Sequence, residues 1–203
     1  MDDAYFEEMY AQDPDPWRFD TSWYEQRKYA LTIAALTEHR YARAVEPGCA
    51  NGALTELLAE RCDAVVAHDI VPAAIARAEA RLARSPHVEV HLARFPDWWP
   101  EGTGDLVVWS EVAYYLDDAA AETAIDGLEG WLRPGGDLVA VHYTGETNYP
   151  RSGAEVGSWL DAVPFLERTT TLHDPRFELG VWRRSEPLTP RTPAPPARPA
   201  RRR

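Results

Sequence analysis

Between residues 42 and 163, short apolar runs alternate with amphipathic stretches, and this alternation restricts the possible folds more than any other feature of the chain. The run ARAVEP (42–47) stops at Gly48, and NGALTELLAERC (51–62) then sets Leu54, Leu57, Leu58 and Cys62 on one helical face. AVVAHDI (64–70) reads as a buried strand ending at Asp69. VPAAIARAEARLARS (71–85) reads as a helix with Pro72 in its first turn, where a missing N–H costs nothing. VEVHLA (88–93) and DLVVWS (105–110) are strands, DDAAAETAIDGLEGWL (117–132) is a helix, RPGG (133–136) a turn, DLVAVHY (137–143) a strand and AEVGSWLDAV (154–163) a helix. FLERTTTLH (165–173) and FELGVWRR (177–184) lie too close for a crossover, so the turn DPR joins them as a hairpin.

Strands separated by helices require crossover connections, hence a parallel sheet with both faces covered. The predicted fold is α/β: a doubly wound, seven-stranded, mostly parallel sheet with an antiparallel C-terminal hairpin strand. Residues 1–40 carry an aromatic segment, expected to act as a lid, and the long helix SWYEQRKYALTIAALTEH (22–39). Residues 41–185 form the core, and 186–203 a Pro- and Arg-rich tail expected to be disordered. The net charge of −12 opposes a nucleic-acid partner. No apolar run is long enough to cross a bilayer, and the acidic start MDDAYFEEMY lacks the order of a secretory signal, so a cytoplasmic protein is expected. Cys49 and Cys62 have no neighbours at zinc-ligand spacing, and no metal is expected.

In a doubly wound sheet the ligand lies over the carboxyl ends of the strands. A dinucleotide turn reads G-x-G-x-x-G, whereas here Gly48 and Gly52 enclose Cys49, Ala50 and Asn51. Glu46, two residues before Gly48, would repel a pyrophosphate and suit a cation. Asp69, at the end of the second strand, can grip two ribose hydroxyls or cap the next helix.

The pattern acid-x-Gly-x-x-x-Gly resembles motif I of class I S-adenosylmethionine-dependent methyltransferases, a Rossmann-like superfamily. VHLARFPDWWP resembles the segment that covers adenine, which implies cofactor contacts from Ala93, Arg94 and Phe95. DLVVWSEVAYYL resembles motif IV, with Ser110 and Glu111 beside the reacting methyl, and WLRPGGDLVAVHY resembles the family's helix–turn–strand. With DPDPWRFDTSWYEQRKYALTIAAL at the front, the chain looks most like the nodulation protein S-like methyltransferases, from about Tyr5 to Arg184.

The resemblance implies S-adenosylmethionine as cofactor, held by Glu46, Gly48, Cys49, Ala50, Gly52, Asp69 and Ile70. Trp17 and Arg27 are further candidates, Arg27 for the methionine carboxylate or as an exposed helix charge. It also implies an acceptor amine, with an amino sugar or oligosaccharide as the model, and a small-molecule hydroxyl as the alternative. His142, at a strand end, is a candidate base or a packed histidine. Glu111 could orient an amine or take its proton, and Tyr115, with Tyr114, could wall the methyl site. A nicotinamide-dependent oxidoreductase would share the sheet but needs the glycine spacing that is missing. A non-catalytic domain of the same fold would be expected to have lost the four motif residues.

Overall fold

The computed structural model describes residues 3–186, for Asp3 and Ala4 the backbone alone, so most of the tail predicted to be disordered lies outside the described residues. Seven strands form one sheet: β1 (Ala44–Pro47), β2 (Val65–Asp69), β3 (Val88–Leu92), β4 (Gly104–Ser110), β5 (Leu132–Tyr143), β6 (Leu166–His173) and β7 (Phe177–Arg184). Their order is β3-β2-β1-β4-β5-β7-β6. The first five run parallel, and β7 is antiparallel to both of its neighbours, β5 and β6. This is the doubly wound sheet that the alternation demands, with the switch in strand order between β1 and β4.

Helices α1 (Asp3–Gln12), α2 (Trp23–Ala35), α3 (Ala53–Ala59), α4 (Pro72–Leu82), α5 (Asp118–Trp131) and α6 (Gly153–Asp161) surround the sheet. None of the described helices is long and apolar enough to cross a membrane. Alternate residues of β4 separate the two cores. Val107 and Trp109 pack with Leu128, Val156 and Leu160 of α5 and α6, while Leu106 and Val108 pack with Tyr29, Leu54 and Leu58 of α2 and α3. Local chemistry sets the helix starts: Asp117 accepts Ala120 N–H, and Ser152 and Glu155 form a reciprocal capping box.

Two elements depart from expectation. The RPGG turn is absorbed into β5. Gly104 pairs with Leu132 but Leu106 pairs with Asp137, so residues 133–136 bulge from the ladder, with Gly135 at φ +76°. The front segment also forms a helix, α1, whose Phe6 and Tyr10 pack with Trp17 against Ile70, Val71 and Ala74 at the start of α4.

Candidate active site

The carboxyl ends of β1, β2 and β4 open into a cavity of about 670 Å³. Its floor is the turn after β1. Gly48 and Cys49 donate to His68 O of β2 at 2.7 and 3.1 Å, which curls the chain back over the sheet's end. Gly48, Ala50 and Gly52 all take positive φ (+70°, +49° and +78°). The motif's central position is therefore one that glycine adopts freely and Ala50 adopts under strain. Ala50→Gly is expected to stabilise the protein by about 1 kcal/mol and to raise the melting temperature by ~2–4 °C in a calorimetric scan. Gly52 lies outside the lining. A Cβ there would come within 3.2 Å of Ala78, so its part is to let the start of α3 approach α4.

Asp69 receives Ala50 N–H on Oδ2 and Val71 N–H on Oδ1, each at 3.0 Å. Burial raises its carboxyl above the ordinary range, and these backbone amides counter that rise. The carboxylate both ties the two loops together and faces the cavity. Glu46 is buried on β1 and accepts the Thr55 hydroxyl at 2.6 Å. Burial lifts its carboxyl to about 8, with the Thr55 bond opposing and Asp69 adding to the rise. Burial thus disfavours the charged form of Glu46 until a cation lies beside it. Cys49, Ile70, Ala93, Arg94, Phe95 and Ser110 complete this half of the lining.

The other half centres on Lys28 of α2, 1% exposed. Its Nζ donates to Glu111 Oε1 at 2.6 Å, and Glu111 Oε2 accepts Tyr143 N–H at 2.9 Å. Burial pushes the Glu111 carboxyl up, but the Lys28 ammonium and these hydrogen bonds outweigh it and hold it below the usual range. Glu111 also sits at φ +56°, a costly backbone for a non-glycine residue. Lys28 Nζ lies 2.8 Å from Glu25 Oε2, off the angle of a hydrogen bond, so that buried oxygen has no hydrogen-bond partner among the described residues. The same holds for the hydroxyls of Tyr10 and Tyr24, which line the same cavity. Two unpartnered hydroxyls beside this ion pair, around one cavity, mark a place for a polar ligand. Trp17, Tyr114 and Tyr115 also line it, and Tyr115 meets Tyr149 at 4.5 Å between ring centroids.

Besides Gly52, two predicted residues are not brought to the cavity, Arg27 and His142. Arg27 points away, paired with Asp174, and its guanidinium lies 5.9 Å from the Phe177 ring centre. His142 is buried on the α5–α6 side of β5, where its Nε2 accepts Ala113 N–H at 3.1 Å and burial lowers its pKa to about 4. Its acceptor lone pair is already committed, so the base role is not carried forward for it. Tyr143, the next residue along the strand, is the one that lines the site. Glu25 and Lys28 were missed. Their only sequence signal is an acid and a lysine three apart beside Tyr24 and Tyr29, and the partner that gives them meaning lies 83 residues away.

Residues 4–146 match the family model described as nodulation protein S. The nodulation protein S of Sinorhizobium fredii is 39% identical over 127 residues, 62% of this chain and 59% of that protein. That of Bradyrhizobium diazoefficiens is 36% identical over the same length, 61% of its own chain. The chain thus spans about three-fifths of the curated relatives it matches. Among solved structures, the N-methyltransferase NodS from Bradyrhizobium japonicum WM9, in complex with S-adenosyl-L-homocysteine, is 29% identical with a TM-score of 0.81, over 90% of this chain and 98% of that one. A Pseudomonas syringae protein described as a methyltransferase is 42% identical with a TM-score of 0.72, over 80% and 100% of the two chains.

Proposed function

The chain belongs to the nodulation protein S family, and on that premise we propose that it is an S-adenosylmethionine-dependent N-methyltransferase whose acceptor is the amine of a small molecule, with amino sugars as the acceptor class. The observation that carries the proposal is the cavity's chemistry. Glu25, Asp69, Asp97, Glu111, Asp117 and Glu146 line it against Lys28 and Arg94, which favours a pair of cationic ligands over a phosphate-bearing one. A hydroxyl acceptor fits less well. An alcohol holds its proton far more tightly than an ammonium does, and the described lining contains no histidine to remove it.

The residues present suit the cofactor. In this reading Gly48, Cys49 and Ala50 pass beneath it, and Asp69 takes the ribose hydroxyls with the lone pairs its backbone contacts leave free. Ala93, Arg94 and Phe95 border the base, and Glu46 faces the amino-acid end. When bound, S-adenosylmethionine supplies a methyl group on a sulfonium, already a good leaving group. The protein's own share is to align the acceptor nitrogen, keep it unprotonated and exclude water, for which the aromatic wall of Tyr10, Trp17, Phe19 and Tyr115 is suited.

Calorimetry with S-adenosylhomocysteine and with NADH, followed by mass spectrometry of glucosamine oligomers incubated with the methyl donor, tests the proposal. Heat with the first ligand only, and a product heavier by one methylene unit, are expected. Saturation by NADH alone, or methylation confined to hydroxyls, would overturn it. Asp69→Ala is expected to weaken S-adenosylhomocysteine binding by roughly 1–3 kcal/mol, read in the same titration. Unchanged affinity would remove the ribose role.

A further inference from the structure

We infer that Glu25 is the base that takes the acceptor's proton, and that the Lys28–Glu111 pair positions it. The inference rests on the amine-methylation reading above and adds to it the residue that makes the nitrogen nucleophilic.

Glu25 and Glu111 bracket one ammonium, but Lys28 treats them unequally. It donates a 2.6 Å hydrogen bond to Glu111, whose other oxygen is taken by Tyr143 N–H, so Glu111 has no affinity to spare for a proton. Glu25, 6% exposed, forms a 2.8 Å ion pair with the same ammonium at an angle outside that of a good hydrogen bond, and its Oε2 has no other partner among the described residues. Both carboxylates line the cavity. Two carboxyl groups in one site with opposed proton affinities have divided roles: one stays charged and structural, the other exchanges protons. Burial raises the Glu25 carboxyl first of all, while Lys28 and Arg176 oppose and Glu111 adds to the rise. Arg176, on the turn between β6 and β7, lies over the Tyr24 ring at 3.9 Å, and Tyr29 flanks Lys28 from the other side at 5.8 Å. A group held this way takes up a proton more readily than a well-paired carboxylate does.

The step balances simply. An N–H bond of the acceptor's ammonium breaks and an O–H bond forms on Glu25, so a positive and a negative charge become two neutral groups. The nitrogen keeps the electron pair with which it attacks the sulfonium donor's methyl carbon; an N–C bond forms as the C–S bond breaks, and that bond's pair stays on sulfur in the neutral thioether. Product leaves as the methylated ammonium, and Glu25 returns its proton to solvent.

The wild-type chain, Glu25→Gln and Glu25→Asp are compared with a glucosamine tetramer as acceptor. Glu25→Gln is expected to lower kcat about a hundredfold and to lose the acid limb of its pH profile, while S-adenosylhomocysteine affinity changes less than about threefold. Glu25→Asp is expected to recover about a tenth of wild-type kcat. Wild-type kcat in Glu25→Gln, or a loss of S-adenosylhomocysteine binding beyond about tenfold, would overturn the assignment, the latter by making Glu25 a cofactor ligand. A readout independent of turnover is the carboxyl-carbon NMR titration of ¹³C-glutamate-labelled protein, assigned with the same variant. Glu25 must titrate at higher pH than Glu111, and the reverse order overturns the inference even if the variants fold poorly. If the wild type binds S-adenosylhomocysteine but methylates no amine, the functional reading fails. If it methylates amines and Glu25→Gln does so equally well, only the Glu25 assignment fails.

Discussion

Lys28→Met is expected to destabilise the protein by about 3–5 kcal/mol, as removal of one partner from a buried ion pair does elsewhere. Methionine keeps most of the side chain's length between the rings of Tyr24 and Tyr29, so the loss comes from charge and not from volume. It leaves Glu25 and Glu111 facing each other in a buried site with no cation between them. In the wild type the Glu111 carboxyl is held below its ordinary value, so its contribution is present at neutral pH and is lost as pH falls. Without Lys28 the sign reverses, because both carboxyls are then favoured in their protonated forms. Urea unfolding at pH 7 and pH 5 reads both effects: a large deficit at pH 7 that narrows at pH 5. Combining Lys28→Met with Glu111→Gln should recover much of the loss, since the second change removes the charge the first one strands. A deficit below ~1 kcal/mol at pH 7 would mean that Lys28 is not electrostatically essential.

Glu46→Gln is expected to flatten the dependence of stability on pH. The carboxyl of Glu46 is raised to about 8 in the folded chain, mainly by burial, so the native state binds a proton that the unfolded chain has already released. A group shifted upward contributes stability below its unfolded pKa and loses that contribution as pH rises through the folded value. Wild-type stability should fall between about pH 4.5 and 8, by on the order of 3 kcal/mol from this residue. The amide removes the titration and can still accept the Thr55 hydroxyl. Urea midpoints across that range check the difference, and parallel curves for the two proteins would refute it. The same residue links the methyl donor to pH. A cation beside Glu46 favours its charged form, so binding should release a proton and tighten as pH rises. Calorimetry in two buffers of different ionisation enthalpy detects that proton, and Glu46→Gln should abolish it.

The sheet could be read from the sequence because its central strands are buried on both faces, and continuous apolar runs such as Leu106–Trp109 have few other solutions. The half of the cavity lining near β1 and β2 was readable for a related reason. Gly48, Ala50 and Asp69 lie on short connections next to strands, so their positions follow once the strands are placed. The half around Lys28 and Glu111 was not. His142 and Tyr143 differ by one residue, and the alternation of β5 turns one into the packed layer and the other toward the cavity. An end-of-strand rule cannot choose between them without the register. Lys28 and Glu25 gain their meaning from Glu111, and Arg27 is taken away by Asp174, both through contacts that bring distant parts of the chain together. The bulge at residues 133–136 similarly depends on how β5 meets β4.

The attachment of α2 also sets an order of assembly. Tyr24 rests edge-on against Phe177 at 6.0 Å, Lys28 reaches Glu111 and Arg27 pairs with Asp174, so residues synthesised early are completed by residues synthesised much later. On the ribosome, this stretch must wait with its tyrosines uncovered until β7 has emerged. Such a topology makes the cavity one of the later parts of the molecule to close, and leaves apolar rings of the nascent chain exposed until then.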